Sequence, residues 1–468
     1  MDNSKTNFFE RMFKLKENKT NVKTEVLGGF TTFVTIAYAL LVIPNILKLG
    51  GMNALGLKGD AAANLTIASD PVIGSAFASV CIAAAVGTLI MAFYANMPFV
   101  LAPGLGLVSF FTFNICLKLG YTWQQGLAAV SISGILFIVI TLTSIREKIV
   151  YAMPQNLKYA ITAGIGLFIS LIGLKNGGII VANPATLVAF GDFKNSAVIL
   201  TIIGIIIIGI LMARNIKGAM LIGIIITTII GIPMGITKLS GIQVFSLPPI
   251  GQTFFAQDFK GLLSHNGGGV LGAALTIFMV VITLSLVDLF DTLGTLVGTA
   301  QTSGMLDENG EAKNLRKSLF SDAVATTIGG ALGTTTLATV VESSAGIAAG
   351  ARTGLSNVVV SILFALSLFF SGLIGIVPQS ATAPALIIVG VLMLSAVKEI
   401  DFSDFTEALP AFFTISMMPF TYSIANGIAV GIIFYPIMKL LTGKRKDVHP
   451  IMYVLALLFI LRFILMPD

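Results

Sequence analysis

Charged side chains are scarce in this sequence. They make up 11% of the 468 residues, against about 25% in an ordinary soluble domain, which excludes a chain whose whole surface is kept in water. Histidine occurs only as His265 and His449, both between apolar runs. No imidazole is therefore placed to relay protons at mid-membrane, and any proton chemistry falls to carboxylates. Cysteine occurs only as Cys81 and Cys116, far apart and inside apolar segments. That excludes a disulfide framework and metal-ligand spacing, so both read as core or lipid-facing fillers, and no metal or cofactor is expected. The single tryptophan, Trp123, lies with Tyr121 at an expected outer boundary, where aromatic anchoring is the natural role.

What is present is apolar: 56% hydrophobic residues and a mean hydropathy of +0.95. Spanning lipid takes about 20 residues as a helix, because only helices and closed barrels satisfy their backbone there. Runs of that length fall near 26–47, 73–94, 98–117, 125–143, 156–174, 196–213 and 218–237, and again near 270–300, 316–333, 335–350, 354–377, 381–397, 405–420 and 424–442. The expected fold is an all-α polytopic membrane protein of about 14 helices. The division is a tail at 1–25, a first seven-helix repeat at 26–238, a connecting loop at 239–268, a second repeat at 269–442, and a basic loop with an apolar helix at 443–468. The run at 449–466 is expected to lie on or dip into the cytoplasmic face.

The first 25 residues are polar, and the run after them is too long for a signal-peptide core and lacks a cleavage site. The tail is expected to stay cytoplasmic in a cell membrane. The net charge of +6 comes from Lys and Arg in short loops on the side of that tail, a pattern that orients helices in a bilayer and excludes a nucleic-acid partner.

Odd-numbered halves would sit upside down relative to each other, as in many secondary transporters, and interrupted segments at corresponding positions mark a binding site. Here the third segment of each half is interrupted, by Pro103, Gly104 and Gly106 in NMPFVLAPGLGLVSFF and by threonines and glycines around Glu342 in GTTTLATVVESSAGIAAGARTG. Carboxylates at bilayer depth are costly unless they face a cavity or a partner. Away from segment ends there are three, Asp288, Asp291 and Glu342. Asp288 and Asp291 share a helix face with Thr292, Gly294 and Thr295. One alternative is a buried Asp locking helices together through Ser or Thr. Asp322, behind Arg316 and Lys317, suits a helix N-terminus.

At these residues the sequence resembles the nucleobase-cation symporters of the nucleobase-ascorbate superfamily, in the AzgA-like branch of guanine, hypoxanthine and adenine permeases. The resemblance runs nearly end to end through KTEVLGGFTTFVTIAYALLVIPNIL, LAPGLGL, VDLFDTLGTLVG, VVESSAGIAAGARTGL and MMPFTYSIANGIAVG. It implies a seven-plus-seven inverted repeat with core and gate domains. The third and tenth segments become half-helices joined to short crossing strands, and a homodimer would form through the gate. It also implies that Asp291 and Glu342 hold the base, with backbone at Val341 and Ser343 on the ring edge. Members usually carry Asn where this chain has Val108, which leaves the choice among purines open.

A purine needs acceptors, donors and apolar walls. Glu342 and Asp291 are the expected acceptors, Phe110 and Phe111 the candidate walls, and Pro103, Gly104 and Thr295 line the same place. Asp288 or Glu342 is expected to carry a coupled proton, with Na⁺ as the less expected ion. An anion carrier of the same broad fold is disfavoured by three carboxylates and no buried cation, and an enzyme by the lack of a nucleophile or metal constellation.

Overall fold

The computed structural model describes residues 8–143, 152–239, 245–264, 277–278, 280–285, 287–289, 292, 295–296, 305 and 313–465. Asp291, Gly294 and His265 lie outside the described residues. Among the described residues, seven helical stretches are long and apolar enough to cross a membrane, the shortest 18 and the longest 26 residues. At 1.5 Å per residue these run about 27 to 39 Å.

The first stretch is two helices, α1 (Val22–Ile36) and α2 (Ala39–Leu47). It starts where the Asn21 side chain accepts the Thr24 N–H at 3.0 Å, and it breaks at Tyr38, which is 2% exposed. α3 (Pro71–Ile90) starts on Asp70, whose Oδ1 accepts the Val72 and Ile73 amides, with Pro71 in the first-turn position that needs no N–H. Asn96, in the left-handed region at φ 50°, ends this helical stretch.

The third segment then departs from a continuous helix. It enters as strand β1 (Leu101–Pro103) and leaves as α4 (Leu105–Lys118). Next come α5 (Trp123–Leu142), α6 (Gln155–Asn176), α7 (Ser196–Ala213) and α8 (Ala219–Ile230). A hairpin of β2 (Ile180–Asn183) and β3 (Leu187–Phe190) joins α6 to α7. Its turn is closed by the Asn183 side chain, which accepts the Ala185 and Thr186 amides, and it adds a ribbon to the expected all-helical plan.

The second half continues with α9 (Leu315–Leu332), β4 (Leu337–Thr339), α10 (Ser343–Ala348) and α11 (Gly354–Ser367). After these come α12 (Gln379–Leu394), α13 (Phe405–Phe420), α14 (Ile424–Leu441) and α15 (Pro450–Leu465). Glu25 is fully buried and accepts the amides of Arg352, Thr353 and Ser356, so α1 caps the start of α11. α15 packs along α14 and buries Met452, Ala456 and Phe459.

One charged cluster ties three helices at one end. Lys439 of α14 is 4% exposed and reaches Glu407 Oε1 at 2.7 Å and Asp404 Oδ2 at 3.5 Å, while Lys444 meets the same Asp404 oxygen at 2.7 Å. Asn156 of α6 donates to Glu407 Oε2 at 3.1 Å. The hydrogen bond from Lys444, with one from Thr406, holds the Asp404 carboxyl well below the usual range.

The aromatic-anchor reading changes. Tyr121 and Trp123 are 1% and 9% exposed, packed inside the protein instead of anchored in the lipid interface. Cys81 and Cys116 are both fully buried core fillers.

Candidate functional site

The site begins with two strands of three residues each. β1 and β4 pair antiparallel, with Leu101 opposite Thr339, Ala102 opposite Ala338 and Pro103 opposite Leu337. All six are buried, so each backbone polar group left by so short a ladder needs a partner. Threonines supply several. Thr88 of α3 both donates to the Leu101 carbonyl and accepts its N–H, each at 3.1 Å. Thr326 of α9 donates to the Leu337 carbonyl at 2.9 Å. The same device thus serves the strand of each half, from the segment that precedes it.

Beyond the ladder, the Val340 N–H donates to the Val100 carbonyl at 3.1 Å, and the Val100 N–H donates to Ser343 Oγ at 3.0 Å. Ser343 therefore spends its hydroxyl oxygen on the crossing, and its own N–H goes to the Val340 carbonyl. α4 and α10 leave the crossing in opposite directions. Gly104 precedes α4 in an extended conformation, and the first amides of any helix have no intrahelical partner.

Glu342 stands at the start of α10, half-buried. The Tyr38 hydroxyl donates to its Oε1 at 2.7 Å, a distance typical of a charge-assisted bond. The break between α1 and α2 is what lets Tyr38 reach it. Around the carboxylate, Val341 is 61% exposed, and Ser344 and Ala348 are exposed on the same side of α10. This open face carries one oriented acceptor beside apolar and small polar groups, which suits a neutral, flat ligand edged with N–H donors.

Behind β4 lies a second acidic group. Thr292 donates to Asp322 Oδ1 at 3.1 Å, stands 3.5 Å from Asp288 Oδ1, and accepts the Thr339 N–H at 3.3 Å. All four residues are at most 2% exposed. Asp322 is therefore not a helix-start carboxylate: it lies two turns into α9 and faces the eighth segment. Its place behind Arg316 and Lys317 suggested the start of a helix, but the α9 turn geometry carries it inward. Thr295 is buried one turn beyond Thr292.

The remaining sequence candidates separate. Pro103 is buried on β1, while Phe110, Phe111 and Val108 of α4 are between 0 and 1% exposed in the apolar core. Phe111 lies against Gly126, where a Cβ would come within 2.7 Å of its ring. Sequence reasoning missed Tyr38, since nothing marks one tyrosine in an apolar run, and it missed Thr292 as the link between two acids.

Comparison with known proteins agrees with this architecture. The family model Xan_ur_permease, described as a permease family, matches residues 23–430. Adenine permease AdeP of Escherichia coli is 40% identical over 97% of this chain and 96% of its own. Guanine/hypoxanthine permease PbuG of Bacillus subtilis is 41% identical over 97% of this chain and 98% of its own. Among solved structures, the transmembrane domain of the cyanobacterial bicarbonate transporter BicA shares the fold with a TM-score of 0.62 at 16% identity. That match covers 87% of this chain and 97% of the other. A helical multi-pass architecture, an acceptor held at a crossing of two half-helices and an end-to-end family match lead to one assignment: this chain belongs to the permease family, as a membrane transporter and not an enzyme.

Proposed function

We propose that this permease imports purine nucleobases, guanine or hypoxanthine and adenine, by proton symport. The observation that carries the reading is the Glu342 carboxylate, held by Tyr38 at 2.7 Å on the exposed face of α10 beside the strand crossing. A base would donate its ring-edge N–H groups to Glu342 and to Asp291, and lie against Val341. The names of AdeP and PbuG support a purine as cargo.

The Asp288–Thr292–Asp322 group supports the coupling step. Thr292 has one hydroxyl proton and two carboxylates within 3.5 Å. Two negative charges at that depth are costly, and a proton carried by either acid removes one of them. Because Thr292 also accepts the Thr339 N–H, a change of protonation there acts on the end of β4, three residues before Glu342. Proton and base would then move together as the half-helices are exposed first to one side and then to the other.

The test is uptake of radiolabelled guanine, hypoxanthine, adenine, xanthine and uracil into proteoliposomes with an imposed pH or Na⁺ gradient. Purine-selective uptake that follows the proton gradient, and that is lost in Glu342→Gln and Asp291→Asn, is the expected result. Uptake that follows only Na⁺ would refute the coupling, and absence of purine uptake by folded protein would refute the cargo.

A further inference from the structure

The two half-helices meet the rest of the molecule differently. On α10, Val341 is 61% exposed, and Ser344 and Ala348 are exposed with it. On α4, every residue from Leu107 to Phe111 is at most 1% exposed, and Phe113 is 3% exposed. One approach to the crossing is open and the other is shut.

What shuts it can be named. Phe113 of α4, Phe168 of α6 and Tyr422 of the α13–α14 turn meet edge to face, with ring centroids 6.2 Å (Phe113 to Phe168), 5.5 Å (Phe113 to Tyr422) and 5.4 Å (Phe168 to Tyr422) apart. Tyr422 holds this place from a left-handed backbone at φ 52°, an uncommon setting for a bulky residue that the surrounding contacts must maintain. Burial, with the Asp60 carboxylate adding to it, pushes the Tyr422 phenol up to about 12, so the ring is neutral.

A tie lies near the cluster. Lys175, in the last turn of α6, stands 3.6 Å from Asp60. Asp60 belongs to a loop fastened to the α4 side by Lys58, whose Nζ donates to the Cys116 and Tyr121 carbonyls, and to the end of α2 by Lys48, whose Nζ donates to the Ala63 and Leu65 carbonyls. The ion pair and the aromatic cluster therefore both join α6 to the α4 body.

We infer that Phe113, Phe168 and Tyr422 form a latch that closes the α4 approach to the binding site, with Asp60–Lys175 as its outer tie, and that the latch opens in each transport cycle. The contacts are of the right strength for a reversible closure. An exposed ion pair shifts an equilibrium by up to about fivefold, and each aromatic contact by roughly two- to tenfold. The inference rests on the transport reading, but its test needs no knowledge of the cargo.

In a Cys81→Ala/Cys116→Ala background, a single cysteine is placed at Ser109 on α4 or at Ser344 on α10. Each is labelled with a membrane-impermeant maleimide in sealed vesicles of both orientations. Tyr422→Ala, which removes two ring contacts, is expected to raise labelling of Ser109→Cys from the α4 side roughly 5- to 100-fold and to lower labelling of Ser344→Cys from the other. Opening one side draws population from the other. Asp60→Lys or Lys175→Asp raises Ser109→Cys labelling up to about fivefold, and the swapped pair Asp60→Lys/Lys175→Asp restores it. Unchanged labelling in Tyr422→Ala overturns the latch, as does labelling that rises from both sides, the mark of general loosening. If Tyr422→Ala fails to fold, the charge-swap series decides. A labelling shift without purine uptake keeps the latch and rejects the cargo.

Discussion

Replacing Tyr38 with Phe removes one hydroxyl at the centre of the site. The ring is 2% exposed and packed at the α1–α2 break, so Phe keeps the packing and removes only the hydroxyl that donates to Glu342 at 2.7 Å. A hydrogen bond to a charged group is worth about 1.5 to 3 kcal/mol, which at about 1.4 kcal/mol per tenfold is roughly a 10- to 150-fold change. If Tyr38 orients the carboxylate that receives the base, initial-rate uptake in proteoliposomes should lose that factor in kcat/KM. Tyr38→Phe transport within twofold of the parent, alongside an inactive Glu342→Gln, would refute the orienting role.

Two further outcomes follow from charges outside the site. Lys439→Met leaves Glu407, 15% exposed, without its cation and should cost about 3 kcal/mol, the low end for stranding a buried charge. Thermal unfolding in detergent measures the loss, and adding Glu407→Gln should recover most of it. Lys48 is 2% exposed, and burial lowers its amine to about 8 from 10.5. Between those values the unfolded chain holds the proton that the folded chain has released, so stability rises with pH across that window. The parent should gain about 2 kcal/mol between pH 8 and 9.5 relative to Lys48→Met, and equal pH slopes in the two proteins would refute the assignment.

Much of the membrane plan is legible in the sequence because lipid enforces it locally: a run of about 20 apolar residues has few other structures open to it. The interruptions at Pro103–Gly104 and around Glu342 are legible for the same reason, since those residues make poor continuous helix. The site is legible only as far as single residues betray it. Glu342 stands out because a carboxylate at that depth is expensive. Tyr38 does not, since an apolar run tolerates tyrosine and its partner is 304 positions away. Asp322 is masked by its sequence context: flanking basic residues suggest a helix start, whereas only the packing of α9 on the eighth segment reveals the shared Thr292. The burial of Tyr121 and Trp123 likewise depends on neighbours from other segments.

The pairing of β1 with β4 also bears on how the chain is made. Pro103 finds Leu337 only after the intervening residues have left the ribosome, roughly 12 to 50 s at ordinary elongation rates. Through that interval the Val100 carbonyl lacks the Val340 N–H and Ala102 lacks the strand opposite it, in a medium that offers no water, while Leu101 is already served by Thr88. The first half alone is therefore an incomplete insertion product. Its survival depends on shelter by the insertion machinery until the second half arrives, so truncated chains ending before Leu337 should be short-lived targets of membrane proteolysis.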